Sequence, residues 1–111
     1  MSRATDAEAA FSKARRLVRS GDYSTAVVLL TKLIDAGHKE PKVLETLAVA
    51  HSLLGELELA AEALETTLSQ TPYRTSTNVN LGAVYNRLGR HDDAINRLNQ
   101  AVKSDWKCVE A

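Results

Sequence analysis

Residues 81–101, LGAVYNRLGRHDDAINRLNQA, carry a glycine at Gly89 and an alanine five residues later at Ala94. The same pair stands earlier in the chain as Gly55 with Ala60 and as Gly21 with Ala26, so the glycines recur twice at a spacing of 34 residues. A period of this length marks a repeat array, in which one helix pair is too small to bury its own apolar face and must stack on a neighbour. The expected class of function is therefore binding.

Three windows in register, 7–40, 41–74 and 75–108, fill one predicted domain over 1–111, and each divides into two predicted helices. In the first window, Thr5 followed by Glu8 reads as a capping box, with Ala10, Ala14, Leu17 and Val18 on the apolar stripe of a helix that reaches about Arg19. Gly21 ends that helix, Asp22 is placed to cap a second from Tyr23 to about Ala36, and Gly37 suits a left-handed C-terminal cap. Pro41 opens the second window, because its missing N–H has no partner in a first helical turn. Leu44, Leu47, Ala48, His51 and Leu54 are predicted on the buried side of that helix, and Leu57 to about Gln70 forms the next before Thr71 and Pro72 stop it. The third window predicts helices over Val79–Leu88 and from Asp92 to about Lys103.

Composition narrows the function from another direction. The 111 residues are 44% hydrophobic and 25% charged, ordinary for a globular chain, and fourteen Lys and Arg balance fourteen Asp and Glu. That zero net charge removes the electrostatic case for nucleic acid or an anionic membrane as partner. The opening MSRATDAEAAF has no apolar core of a secretory signal, and no run of about 18 apolar residues suggests a membrane span. With Cys108 as the only cysteine, no internal disulfide forms, and the cytoplasm is the expected compartment. His38, His51 and His91 show no metal-ligand spacing, Cys108 has no adjacent base, and no glycine-rich phosphate loop occurs. No catalytic residue, cofactor or metal is expected, and the chain is not expected to be an enzyme.

The pattern resembles the tetratricopeptide repeat. That family's unit favours Leu at position 7, Gly or Ala at 8, Tyr at 11, Ala at 20, a large apolar residue at 24, Ala at 27 and Pro at 32. Leu81, Gly82, Tyr85, Ala94, Leu98 and Ala101 match in the third window. Leu47, Ala48, Ala60, Leu64 and Pro72 match in the second, with His51 in the tyrosine place. The first window keeps Ala14, Ala26 and Leu30 but has Lys13 for the leucine, as suits the outer face of a terminal repeat. The resemblance covers 7–108 and implies an all-α, right-handed α-solenoid of three stacked helix-turn-helix repeats. Ala14, Ala48 and Gly82 would face Ala26, Ala60 and Ala94, letting paired backbones approach closely.

The resemblance also implies that a protein or peptide partner lies in a concave groove lined by the first helix of each pair. The residues carried onto that groove are Phe11, Arg15, Arg19, Lys42, Glu45, Thr46, Val49, Leu53, Asn80, Ala83, Asn86 and Arg87, with cations in surplus over Glu8 and Glu45. The carboxylate clamp of chaperone adaptors is not matched, since Phe11, Arg15, Thr46, Ser76 and Asn80 occupy its places. Alternatives are an N-terminal recruitment or oligomerisation domain of a longer, even enzymatic, polypeptide, and a small secretion-type chaperone. At the end of the chain, DWKCVEA aligns with an inter-repeat turn and the start of a fourth repeat. Ile95, Leu98 and Val102 are then left uncovered, which predicts either further repeats or self-association through this end with Trp106, unless Trp106 folds back over the last helix.

Overall fold

A computed structural model describes the backbone of residues 3–110 and the side chains of residues 6–104. Within it the chain forms six helices and no strand: α1 Arg3–Ser20, α2 Tyr23–Asp35, α3 Pro41–Leu53, α4 Leu57–Gln70, α5 Thr75–Arg87 and α6 His91–Glu110. Each helix packs on the next in sequence, and α1 also touches α3. That contact pattern is an α-solenoid of three helix pairs.

One turn, used three times, produces the pairing. At Gly55 the backbone takes φ +82°, a left-handed conformation that costs a residue with a Cβ, and the chain reverses there. Gly55 N–H donates to Ser52 C=O at 3.0 Å and Glu56 N–H to His51 C=O at 2.8 Å, so the last carbonyls of α3 are satisfied. The same two bonds recur from Gly21 and Asp22 to Val18 and Leu17, and from Gly89 and Arg90 to Asn86 and Tyr85. Identical turn chemistry gives each pair the same crossing.

Small residues then set how close the pairs come. Ala14, Ala26 and Ala60 are fully buried, and Ala48 and Ala94 nearly so. Gly82 carries this furthest: a Cβ there would lie 2.9 Å from Leu98 Cγ. Around them Leu30, Leu64 and Leu81 fill the interior at 1% exposure or less. The N-terminal face is solvated, as expected from Lys13: Lys13 and Arg16 are exposed where Leu47 and Ala50 of α3, and Leu81 and Val84 of α5, are buried.

Asp22 caps α2 by accepting from Thr25 N–H at 3.4 Å, Pro41 starts α3, and α4 has the predicted bounds. Other expectations need correction. Helix α1 already contains Thr5, so Thr5 is not its cap. Leu54 is 40% exposed, as the C-cap residue just past the last turn of α3. The predicted turn near Asp105 is absent, and α6 continues to Glu110, since no glycine or proline interrupts the stretch after Lys103. The fold-back of Trp106 and the environment of Cys108 lie outside the described side chains.

Candidate functional site

The inner wall of the solenoid is built from α1, α3 and α5, each contributing residues one or two turns apart. Phe11, Arg15, Val18 and Arg19 come from α1, Lys42, Glu45, Thr46 and Val49 from α3, and Asn80 from α5; together they line a hollow of about 440 Å³. A second hollow of about 210 Å³ is lined by Val49, Ser52, Leu53, Asn80, Ala83 and Arg87 among others. Val49 and Asn80 belong to both, so the two hollows form one continuous groove.

Its two ends differ chemically. At the α1 end, two cations lie near the Phe11 ring, with Lys42 Nζ 5.3 Å and Arg15 Cζ 5.8 Å from its centroid. A ring quadrupole holds such cations by about 0.5–1 kcal/mol each at exposed sites. At the α5 end the wall is apolar, with Val49 and Leu53 38% and 53% exposed beside Ala83. Asn80 stands between, half-buried, and its amide makes no hydrogen bond among the described residues. Arg87 donates to Ser52 C=O at 3.2 Å, tying the end of α5 to the end of α3.

Glu45 lines the first hollow, but its charge is already engaged. Two guanidinium nitrogens of Arg74 donate to its two carboxylate oxygens at 3.2 Å each, Ser76 Oγ donates at 2.9 Å, and the Thr77 hydroxyl donates as well. Burial would raise the Glu45 pKa, yet the hydrogen bonds from Arg74, Thr77 and Ser76 outweigh it and hold the carboxyl below its ordinary value. Glu45 therefore acts as a buckle between α3 and the start of α5. The groove keeps its cations without a free carboxylate at its centre.

Of two further predicted groove residues, Thr46 lines the first hollow with its hydroxyl engaged and Asn86 lies outside both. Thr46 turns its hydroxyl onto Lys42 C=O of its own helix at 2.7 Å. Asn86 lines neither hollow, and its Oδ1 lies 2.7 Å from His91 Nδ1 at the α5–α6 turn. Ile95, Leu98 and Val102 lie outside the groove on α6 and are exposed. Asn78 was not singled out by sequence. It is fully buried, donates to Pro72 C=O and Arg74 C=O, and accepts from Arg97 at 3.2 Å, which fixes the turn that carries Arg74. An amide at a position that favours apolar residues was the one signal for it. Among the described residues no group of three His, Cys, Asp or Glu is placed to hold a metal, and no helix is long and apolar enough to cross a membrane.

Comparison with known proteins agrees with the fold. Sequence profiles of the tetratricopeptide repeat match residues 75–105 and residues 41–66. No curated protein sequence matches. Among solved structures the chain is similar to MamA from Desulfovibrio magneticus RS-1, at 19% identity and a TM-score of 0.87, over 95% of this chain and 59% of that one. It is also similar to the Sgt2 TPR domain from Aspergillus fumigatus, at 21% identity and 0.85, over 90% of this chain and 66% of that one. A third is the type III secretion translocator chaperone SycD of Yersinia enterocolitica, at 18% identity and 0.83, over 88% and 74%. Identities this low carry the fold, and the chain spans about three fifths of the MamA chains it matches.

Proposed function

The chain belongs to the tetratricopeptide repeat family, a fold suited to protein interaction, and from that premise we propose that its concave groove holds an extended protein segment that is acidic at one end and apolar at the other. The observation that carries this reading is the continuity of the two hollows through Val49 and Asn80. Carboxylates of the segment meet Arg15, Arg19 and Lys42, and one or two apolar side chains rest against Val49, Leu53 and Ala83. The free amide of Asn80 supplies a donor and an acceptor for the segment's backbone midway. Because Glu45 is neutralised by Arg74, nothing at the centre repels an incoming carboxylate.

The test is fluorescence anisotropy with a labelled synthetic peptide carrying three glutamates followed by Val-Leu, at low salt. Wild type should bind it more tightly than a peptide with lysines in place of the glutamates. Arg15→Glu with Arg19→Glu should weaken it about tenfold or more, equivalent to roughly 1.4 kcal/mol, with a smaller loss at high salt. Equal affinity of wild type and double variant, with both folded by circular dichroism, would remove this groove as the binding site.

A further inference from the structure

The three helix pairs repeat their burial except on the outer faces of α1 and α6. Leu30 on α2 and Leu64 on α4 are 0% and 1% exposed, because α3 and α5 stack over them. Leu98 holds the same register on α6 and is 41% exposed, with Ile95 at 55% and Val102 at 66% on either side. The counterpart of Ile95 on α4 is Ala61, at 4%. Thus α6 presents to solvent the same stripe that α2 and α4 bury at its centre and half-bury at Val27, Ile34 and Leu68, and among the described residues only α5 packs substantially on it.

We propose that this stripe is an interface with a second copy of the chain, the two α6 helices lying antiparallel about a two-fold axis. Continuity with the internal stacking surfaces supplies the first reason, since the residue types are those the fold already buries between its pairs. Head-to-tail stacking is opposed by the other end of the array. There α1 offers Lys13 and Arg16 where α3 offers Leu47 and Ala50, and seating those charges on Leu98 would desolvate them without a partner.

Charge selects the antiparallel arrangement. Helix α6 has Asp92 in its first turn and Lys103 three turns later, both exposed, so antiparallel pairing sets each Asp92 near the Lys103 of the other copy. Asp93 is engaged by Arg90 at 2.9 Å, and Arg97 by Asn78, so neither alters this balance. Between the two ends, the exposed neighbours of the stripe are the neutral Asn96 and Asn99, and a two-fold axis there brings no like charges together. The groove, on α1, α3 and α5, stays open in such a pair.

Sedimentation velocity of the 111-residue chain from low to high micromolar concentration tests the proposal. A monomer–dimer equilibrium with no larger species is expected. Ile95→Glu with Val102→Glu should be monomeric throughout while keeping its helical signal and melting temperature; Leu98 is left alone because it also packs on Gly82. Asp92→Lys alone and Lys103→Asp alone should each raise the dimer dissociation constant about tenfold, and combining them should restore it. A wild type that stays monomeric, growth beyond dimers, or a double Glu variant that dimerises as wild type would each overturn the proposal. Failure of the charge exchange to restore pairing would overturn the antiparallel two-fold arrangement.

Discussion

Replacing Glu45 tests whether the groove's central carboxylate is structural. The side chain is 13% exposed and accepts from Arg74, Ser76 and Thr77, and Thr77 itself is fully buried. In Glu45→Ala the Thr77 hydroxyl loses its acceptor, which costs about 1–3 kcal/mol for a buried group. The Arg74 side of the pair is 40% exposed, so its loss adds at most about 1 kcal/mol. The sum is roughly 1–4 kcal/mol, read as a lower urea midpoint at unchanged slope. Glu45→Gln keeps an oxygen acceptor and should lose about half as much. Acid adds a sign test. The folded pKa lies below the ordinary 4.5, so the unfolded state takes up the proton first and this contribution is lost as pH falls through 4.5 and below. Wild type should therefore lose its advantage over Glu45→Gln in that window. An alanine variant within about 0.5 kcal/mol of wild type at neutral pH would refute the buckle, since surface substitutions routinely fall in that range.

Gly82→Ala should destabilise the chain despite removing a helical glycine worth about 1 kcal/mol, because its Cβ would meet Leu98 Cγ at 2.9 Å and overpacking costs about 1–3 kcal/mol. In a Leu98→Ala background the same change should become stabilising, and chemical denaturation of the four proteins would expose any failure of that sign reversal. Tyr85 is pushed up to about 12, by burial first and then by the hydrogen bond and charge of Glu65. The unfolded chain therefore loses this proton near 10 while the folded one keeps it, so stability holds below pH 10 and falls by on the order of 2 kcal/mol between 10 and 12. Tyr85→Phe should lack that component, and identical alkaline melting profiles for the two chains would contradict it.

Local signals in the sequence carried most of the fold. Gly55 and its two equivalents announce the turns because only a residue without a Cβ takes that backbone freely, and Asp22 and Pro41 announce helix starts through groups within three residues of themselves. What was not legible depends on distant partners. Glu45 reads as a groove charge until the chain has folded far enough to bring Arg74, 29 positions later, onto it. Leu54 continues the apolar spacing of α3 but falls at its C-cap, past the last packed turn, and is exposed. At the end of α6 two signals in the sequence disagree: the repeat register places a turn near Asp105, while the residues after Lys103, lacking glycine or proline, keep the helix going.

The same dependence explains how a neutral chain acquires a one-signed groove. Opposite charges are equal in number over the 111 residues, so the polarity comes from where the fold engages them. Glu45 turns toward Arg74 on the α4–α5 connection, Asp93 toward Arg90 at the start of α6, and Glu65 toward Tyr85. Lys42 and Arg15 instead rest on Phe11, an aromatic face that leaves their hydrogen-bond donors unused. Cations held by a ring keep donors for a ligand, whereas cations held by carboxylates have given them up. One phenylalanine in the first repeat thus does for the groove what an acidic residue could not: it orders two charges without neutralising them.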